Sequence, residues 1–409
     1  MTRVTEAALS PERIAAAHAA SAALVKRTPV LTAGSLSERL GGTILLKAEN
    51  LQRTGSFKLR GALSKLRELD RGCRGVTAGS AGNHAQALAY AARAHGIPCE
   101  VFMPVDAAVA KVAAVSAFGA EVHQQGASVD ECCELAERRA RDAGMTFVHP
   151  FDDPQIVAGQ AGLGLELAAD VPDLATVVVP VGGGGLAAGV AIAIKQRHPR
   201  VRVIGVQAEA CAPFPESLAR RAPVTARGAA TIADGIAIKR PGALTLPLVH
   251  AWLDDLVTVD EDSIAEAMVQ LVERAKLVVE GGGAVAVAAL RSGKVQPATG
   301  GATVAVLAGG NVDVALLAEV ARRHETRIGR RIRLLTRVSD RPGGLAGLLG
   351  RVADLNANVL TVEHVRDGLT LGVRQTGVEL SLETRGGAHA GRVFAGLREH
   401  GYDVTDVSG

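Results

Sequence analysis

The chain has 409 residues, of which 48% are hydrophobic and 21% are charged, a composition typical of a folded protein with two or three domains. Its 45 Lys and Arg residues nearly balance 42 Asp and Glu, and only 2% of its residues are aromatic, so basic patches and base-stacking platforms are scarce and nucleic acid is not expected as a partner. The five cysteines follow no metal-ligand spacing and the amino terminus shows no signal-peptide pattern, which predicts a reducing, cytoplasmic location.

Short runs of β-branched residues alternate with alanine-rich stretches along most of the chain. This alternation is typical of parallel strands joined by crossover helices, so we predict an α/β fold. The predicted strands span residues 43–47, 75–79, 100–103, 121–124, 176–181, 201–206 and 303–307. A helix is predicted over 83–95, because Gly96 and Pro98 are residue types that commonly follow the end of a helix.

Residues 175–194 are uncharged and long enough to resemble a membrane span. Pro180 and four consecutive glycines, Gly182 to Gly185, interrupt this segment. Such residues favour a buried strand, a loop and a helix over one continuous spanning helix. We therefore expect no membrane as a partner.

The pattern changes after Asn311. A helix is predicted over 312–323, and the arginine-rich segment 323–331 is predicted to be an exposed linker. The remaining elements are predicted at 332–338 (strand), 344–355 (helix), 359–366 (strand), 378–383 (strand), 388–399 (helix) and 402–407 (strand). This β-α-β-β-α-β order is that of ferredoxin-like domains. We therefore expect a large α/β region over 1–322, which would contain the catalytic site, and a separately folded module over 332–409.

Three segments carry chemistry, and the first is TGSFKLRGA at 54–62, where Lys58 lies at the start of a predicted helix. The positive end of the helix dipole disfavours an ammonium group and lowers the pKa of the lysine toward the neutral amine that Schiff-base formation requires. The alternative is a solvated lysine on an amphipathic helix. The apolar positions of that helix are Leu59, Leu63 and Leu66.

The second segment is VVVPVGGGGLAAG at 177–189, a hydrophobic strand that leads into the four glycines and then a helix. A loop of this kind exposes backbone N–H groups at a helix N-terminus and lets a phosphate approach closely. It matches neither the P-loop pattern nor a clean G-x-G-x-x-G pattern, so neither a nucleoside triphosphate nor a dinucleotide is favoured. The alternative is a purely structural turn, for which one or two glycines would suffice.

The third segment is GSAGNHAQ at 79–86, where Ser80, Asn83, His84 and the backbone amides could bind a carboxylate. A lone histidine is more often structural. Together the three segments offer an amine, a phosphate site and a carboxylate site, each at the carboxyl end of a predicted strand. An amino acid bound to pyridoxal phosphate requires all three.

The motifs SFKLRGA, SAGNHAQ, GGGGL, TIADGIAIK and AGGNVD occur in the order seen in pyridoxal-phosphate-dependent threonine dehydratases (threonine ammonia-lyases), which the chain resembles over roughly 21–324. The segment SDRPGGLAGLL at 339–349 resembles an ACT domain, the amino-acid-sensing module of regulated threonine dehydratases. The resemblance implies a fold-type II enzyme with two open, twisted, mostly parallel α/β domains, the smaller inserted at about 49–146. It also implies an amino-acid effector and a homodimer or homotetramer.

By this resemblance Lys58 binds the cofactor pyridoxal 5'-phosphate as a Schiff base and later removes the α-proton of the substrate. Asn83 would contact the ring hydroxyl of the cofactor. The phosphate-binding residues would be Gly182, Gly183, Gly184, Gly185 and Leu186. The residues lining the substrate carboxylate site would be Ser80, Ala81, Gly82 and His84. Glu280 stands where the family has a glutamate beside the active site, although a carboxylate with a purely structural role fits almost equally well.

Three residues depart from the patterns of related families. Ala308 stands where most relatives place a serine or threonine against the pyridine nitrogen. Gln207 replaces a glutamate that helps to bind a metal in racemase-like relatives, so no metal is predicted, although Glu209 is close in sequence. Ala81 stands where serine racemases have a second acid/base serine.

The resemblance thus implies the deamination of L-threonine to 2-oxobutanoate and ammonia, and of L-serine to pyruvate, under control of an amino acid bound to the ACT-like module. One alternative is a serine racemase or another β-eliminating lyase. A second alternative is a non-catalytic sensor that binds an amino acid or the cofactor, which the retention of Lys58 disfavours.

Overall fold

The computed structural model of the chain describes residues 7–70, 72–228, 230–365 and 373–408. The chain divides into two compact units, residues 1–312 and 313–409.

The first unit alternates strands and helices. Its strands are β1 (Val30–Thr32), β2 (Thr43–Ala48), β3 (Val76–Gly79), β4 (Cys99–Met103), β5 (Glu121–Gln124), β6 (Thr146–Phe147), β7 (Leu174–Pro180), β8 (Arg202–Ala208), β9 (Asp255–Val259) and β10 (Ala302–Leu307). Its helices are α1 (Pro11–Ser21), α2 (Gly34–Leu40), α3 (Lys58–Arg67), α4 (Asn83–His95), α5 (Val109–Ala117), α6 (Val129–Ala143), α7 (Pro154–Asp170), α8 (Gly185–Lys195), α9 (Phe214–Arg220), α10 (Thr245–Trp252), α11 (Glu261–Gln270) and α12 (Gly281–Arg291).

These strands form two sheets. The larger has the order β1-β2-β10-β7-β8-β9 and is parallel except for β1, which pairs antiparallel with β2. The smaller has the order β5-β4-β3-β6 and is parallel throughout. Parallel strands are connected by crossover helices, which cover both faces of the sheet. Consecutive residues of β7 are therefore buried, among them Val177, Val178 and Val179. The carboxyl ends of the strands therefore meet at the edge where α/β sheets bind ligands.

The predicted α/β fold is confirmed, and each predicted strand of the first unit is present to within two residues at each end. The sequence analysis missed β1, β6 and β9, which lie at the edges of their sheets. The uncharged segment 175–194 divides into β7, the glycine loop and α8, as predicted. No helix in the described ranges is both long and apolar enough to cross a bilayer.

A buried network of four charged side chains fixes the position of α3. Arg60 on α3 donates from Nε to Glu49 Oε2 at 2.8 Å and from Nη1 to Glu166 Oε1 on α7 at 2.8 Å. Lys47 Nζ on β2 donates to Glu166 Oε2 at 2.6 Å. All four side chains are almost completely excluded from solvent, and the two cations balance the two carboxylates. Since α3 begins at Lys58, this network anchors the helix that carries the candidate catalytic lysine.

The second unit contains the predicted β-α-β-β-α-β order. Its elements are α13 (Val314–Arg327), β11 (Arg331–Ser339), α14 (Gly344–Asp354), β12 (Asn358–Val365), β13 (Gln375–Glu383), α15 (Gly387–Glu399) and β14 (Thr405–Asp406). The strands form an antiparallel sheet in the order β12-β13-β11-β14. Arg366, the predicted end of its second strand, lies outside the described residues. The last strand has two residues instead of the predicted six.

The boundary between the units differs from the expected one. The chain divides after Val312 rather than after residue 322, and most of the expected linker at 323–331 belongs to regular elements, because α13 continues to Arg327 and β11 begins at Arg331. The Asp313 side chain accepts a hydrogen bond from the N–H of Ala315 and so caps α13. Arginine is a good helix former and no glycine occurs before Gly329, so the arginine-rich segment extends the helix.

Candidate active site and cofactor pocket

Lys58 is the first residue of α3 and lies at the edge of a cavity. Its Nζ donates a hydrogen bond of 2.8 Å to the carbonyl oxygen of Pro150. Burial lowers the pKa of Lys58 to about 8, while the nearby Glu280 carboxylate acts in the opposite direction. The sequence predicted the direction of this shift, but burial is its main cause, rather than the helix dipole. Lys58 is thus held as an amine that deprotonates easily.

The glycine loop lies between β7 and α8 and lines the same cavity, together with Phe151. A Cβ atom on Gly183 would clash with the ring of Phe151, and Gly184 has φ +94, a left-handed conformation that favours glycine. None of the hydrogen bonds among the described residues uses the backbone N–H of Gly182, Gly183, Gly184 or Gly185. The loop therefore presents free donors at the start of a helix, the arrangement that binds phosphate.

Asn83 is the first residue of α4 and belongs to a chain of hydrogen bonds. Its Nδ2 donates to Glu280 Oε1 at 2.7 Å, and its Oδ1 accepts from Asn311 Nδ2 at 2.7 Å. Glu280 is only 7% exposed, and this burial raises the pKa of its carboxyl to about 7, with the negative charge of Asp234 adding to the rise. The Glu280 carboxylate thus contacts a predicted site residue instead of capping α12.

The turn before α4 contains the predicted carboxylate-binding residues. Ser80 Oγ accepts a hydrogen bond of 3.2 Å from the N–H of Gly82, and Ala81 and Gly82 are half-buried. The His84 ring is buried, and its Nε2 lies 2.8 Å from the Val148 carbonyl oxygen, to which it donates. Burial lowers the pKa of His84 to about 3, so the ring is neutral. The neutral ring therefore has no second N–H group to donate to an anion in this turn.

Ala308 directly follows β10 and is 3% exposed. Its carbonyl oxygen accepts a hydrogen bond of 3.0 Å from the N–H of Phe57, the residue before Lys58. The backbone of Ala308 therefore fixes the start of α3. Its methyl group offers no hydrogen bond to a ligand.

Gln207 and Glu209 lie at the end of β8, where the sequence raised the question of a metal site. Gln207 is fully buried and uses both ends of its amide, donating to the Val181 carbonyl oxygen at 3.2 Å and accepting from the N–H of Phe214 at 3.1 Å. The Gln207 side chain thus ties β8 to the neighbouring elements.

The site also contains residues that the sequence analysis did not identify. Pro150 supplies a carbonyl oxygen to Lys58, and Phe151 packs against the glycine loop. Thr245 Oγ1 donates to the Gly183 carbonyl oxygen at 2.6 Å, and Asp152 accepts from the N–H of Thr245. These residues pack against the loop or make hydrogen bonds in which one partner is a backbone group, so no motif of reactive side chains marks them.

The arrangement fits a phosphate-bearing aldehyde such as pyridoxal phosphate. Lys58 offers an amine with a lowered pKa, and free N–H donors stand at the start of α8 on the same cavity. An amine of this kind forms a Schiff base with an aldehyde, and donors at a helix N-terminus bind phosphate.

Comparisons with known proteins agree with this chemistry. A family model described as pyridoxal-phosphate dependent enzyme matches residues 22–310. The chain is 45% identical to an L-threonine ammonia-lyase from Thermotoga maritima, over 94% of this chain and 96% of that protein. It is similar in structure to the processed form of threonine deaminase isoform 2 from Solanum lycopersicum, with a TM-score of 0.72 and 33% identity over 76% of this chain and 87% of that one. It is also similar to a serine racemase from maize, with a TM-score of 0.72 and 32% identity over 78% of this chain and 98% of that one.

Proposed function

This chain belongs to the pyridoxal-phosphate-dependent enzymes, and we propose that it is an ammonia-lyase that converts L-threonine to 2-oxobutanoate and ammonia, and L-serine to pyruvate and ammonia. The observation that carries the proposal is the position of Lys58, whose amine, with a pKa lowered to about 8, lies on the same cavity as the glycine loop with its free N–H groups. The name of the Thermotoga relative supports threonine as the substrate.

The cofactor, when bound, supplies an electron sink for the negative charge that develops at the substrate Cα. Gly182 to Gly185 and Leu186 would hold its phosphate through backbone N–H groups, and Asn83 would donate to its ring hydroxyl. Since Asn83 also donates to Glu280, the protonation state of that carboxyl would affect the orientation of the amide.

Lys58 has two tasks in this proposal. Its amine would hold the cofactor and, when free of it, would accept the proton from the substrate Cα. With its pKa lowered to about 8, this lysine is neutral at pH 7 far more often than an exposed lysine. The Pro150 carbonyl oxygen, which accepts a hydrogen bond from Nζ, orients this amine toward the cavity.

The substrate carboxylate would bind to the turn formed by Ser80, Ala81 and Gly82, whose backbone N–H groups lead into α4. Loss of the Cα proton and of the Cβ hydroxyl, which leaves with a proton as water, gives an enamine. The enamine then hydrolyses to the 2-oxo acid and ammonia.

Elimination is favoured over racemisation because of Ala81. Inversion at Cα needs a proton acceptor on one face and a proton donor on the other. Lys58 supplies one face, and the methyl group of Ala81 supplies neither function to the opposite face. The proposal therefore differs from the activity named for the maize neighbour.

The second unit is proposed to be an ACT-like regulatory module that binds an amino-acid effector and pairs with its counterpart in a homodimer or homotetramer. Two observations support this part of the proposal: the strand order of the unit, and the similarity to the Thermotoga protein, which covers 94% of this chain and so extends into the second unit. A cytoplasmic location belongs to the same proposal.

One experiment tests the function. Steady-state formation of 2-oxo acid and ammonia is measured from L-threonine and from L-serine with the full-length holoenzyme, with and without isoleucine or valine. Equal amounts of 2-oxobutanoate and ammonia are expected from threonine. A cofactor-loaded protein that forms neither product from either amino acid would overturn the proposal.

A further inference from the structure

The outer side of the glycine loop is held by a hydrogen bond from a residue distant in sequence. Thr245, the first residue of α10, is fully buried, and its Oγ1 donates to the carbonyl oxygen of Gly183 at 2.6 Å. A Cβ atom on Gly184 would lie 3.0 Å from Thr245 Cβ and 2.8 Å from the ring of Phe214. Neither Thr245 nor Phe214 is among the residues that line the cavity, so these two side chains fill the side of the loop that faces away from it.

This hydrogen bond fixes the orientation of one peptide group. No cis peptide bond occurs among the described residues, so the Gly183 carbonyl and the Gly184 N–H point in opposite directions. Because Thr245 holds the carbonyl on the outer side, the Gly184 N–H is directed to the other side, where the loop lines the cavity. If the peptide flipped, it would present a carbonyl oxygen to a phosphate and repel it.

The backbone around Thr245 is held in place by Asp152, the residue that follows Phe151. The Asp152 carboxylate accepts hydrogen bonds of 3.0 Å from the backbone N–H groups of Ala243, Leu244 and Thr245. The neighbouring Phe151 packs against Gly183 and Gly185. The loop is therefore fixed from both sides by contacts that do not require a ligand.

We propose that Thr245 is a positioning residue for the cofactor phosphate, which acts by holding the Gly183 carbonyl so that the Gly184 N–H faces the phosphate. The proposal rests on the cofactor of the family and is independent of the substrate. Threonine is required for its hydroxyl, and its methyl group fills space.

The test compares four full-length proteins: wild type, Thr245→Val, Thr245→Ser and Thr303→Val. Valine has the shape of threonine without the hydroxyl, and serine keeps the hydroxyl. Thr303 is a matched control, because it is fully buried and its Oγ1 also makes a hydrogen bond to the backbone, accepting from the N–H of Ala298 at 2.9 Å. It lies at the start of β10, the end of that strand away from Ala308. The measurements are the dissociation constants of pyridoxal phosphate and of pyridoxal, and the phosphorus NMR shift of the bound cofactor.

Thr245→Val is expected to weaken pyridoxal phosphate binding by about tenfold or more, because the Gly184 N–H would no longer be held toward the phosphate and a hydrogen bond to a charged group would be lost. It should also shift the phosphorus signal. It should leave the affinity for pyridoxal, which has no phosphate, unchanged. Thr245→Ser should bind like the wild type, and Thr303→Val should bind normally even where it unfolds more easily. Thr245→Ala, which adds no atoms, serves if the valine variant does not fold.

The proposal is overturned if Thr245→Val binds pyridoxal phosphate like the wild type, if it loses pyridoxal to the same extent, or if Thr303→Val loses as much. These outcomes are separate from a failure of the proposed reaction, because no measurement involves an amino-acid substrate.

Discussion

Asn83 and Glu280 are joined by a hydrogen bond of 2.7 Å, although 197 positions separate them in the sequence. Asn83 begins a helix of the smaller sheet and Glu280 precedes a helix of the larger one, so this bond links the two α/β domains at the site. Burial raises the pKa of Glu280 to about 7, so the carboxyl changes its charge near neutral pH.

Replacing this carboxyl with an amide is expected to change the pH dependence of stability. A raised pKa means that the folded state binds the proton more tightly than the unfolded state, so the contribution of Glu280 to stability is present below pH 4.5 and is lost as pH rises through about 7. Relative to wild type, Glu280→Gln should gain up to about 3 kcal/mol between pH 4.5 and pH 8, since one pKa unit corresponds to about 1.4 kcal/mol. Urea unfolding across this range measures the difference.

The exposed Glu134 provides the matched control, because Glu134→Gln removes a carboxylate from the surface of the smaller domain. It should follow the wild-type curve. If Glu280→Gln follows that curve as well, Glu280 does not titrate in this window. In the pH profile of threonine turnover, Glu280→Gln should lack the ionisation near pH 7.

The cofactor is expected on Lys58. Borohydride reduction of the holoenzyme followed by peptide mapping should find the pyridoxyl group on residue 58 and on no other lysine. Lys58→Ala should lower turnover at least about a thousandfold, because both binding and proton transfer are lost. Lys65, which lies on the same helix and pairs with Asp153, is an internal control that should stay unmodified. An adduct on another lysine would contradict the assignment.

Elimination should exceed racemisation with L-serine. Chiral chromatography of the products is expected to show pyruvate in large excess over D-serine. Ala81→Ser places a hydroxyl on the face of the substrate opposite Lys58 and should raise exchange of the α-proton with solvent, measured by deuterium incorporation. Comparable amounts of pyruvate and D-serine from the wild type would place the chain among the racemases.

Ala308 leaves the pyridine nitrogen of the cofactor without a side-chain partner in the proposed site. Ala308→Ser should therefore shift the absorbance of the lysine-bound cofactor or its pH dependence, because the new hydroxyl can donate to the ring. Ala308→Cys, of nearly the same size but with a weaker donor, should produce a smaller change. An unchanged spectrum for both variants would show that another group contacts this nitrogen.

The chain that ends at Val312 should keep the cofactor and lose regulation. The cut follows the observed division between the units, and it spares every residue proposed for the site. Threonine saturation curves of the full-length and shortened proteins are compared across branched-chain and other amino acids. A shortened protein that still responds to an effector, or a full-length protein that ignores the whole panel, would show that the second unit does not carry the regulation.

The strands and the segments around Lys58, Asn83 and the glycine loop could be predicted because their chemistry is local. A buried parallel strand is a continuous apolar run, and a ligand-binding turn follows it directly. Thr245 could not be found in this way, since it lies 62 positions from Gly183 and only the fold brings its hydroxyl to that carbonyl. The sequence groups His84 with the residues of the predicted carboxylate site, and only the fold shows that its side chain bonds the carbonyl oxygen of Val148.

The buried network of Lys47, Glu49, Arg60 and Glu166 restricts how this chain can evolve. Removing one member leaves an unpaired buried charge, which costs about 3–5 kcal/mol, while replacing such a network entirely with well-packed apolar residues is often neutral or stabilising. Folded domains have only about 5–15 kcal/mol of net stability. A path that changes one residue at a time therefore passes through intermediates that have lost a large share of this stability, and the network can persist in descendants of this chain without being the most stable solution.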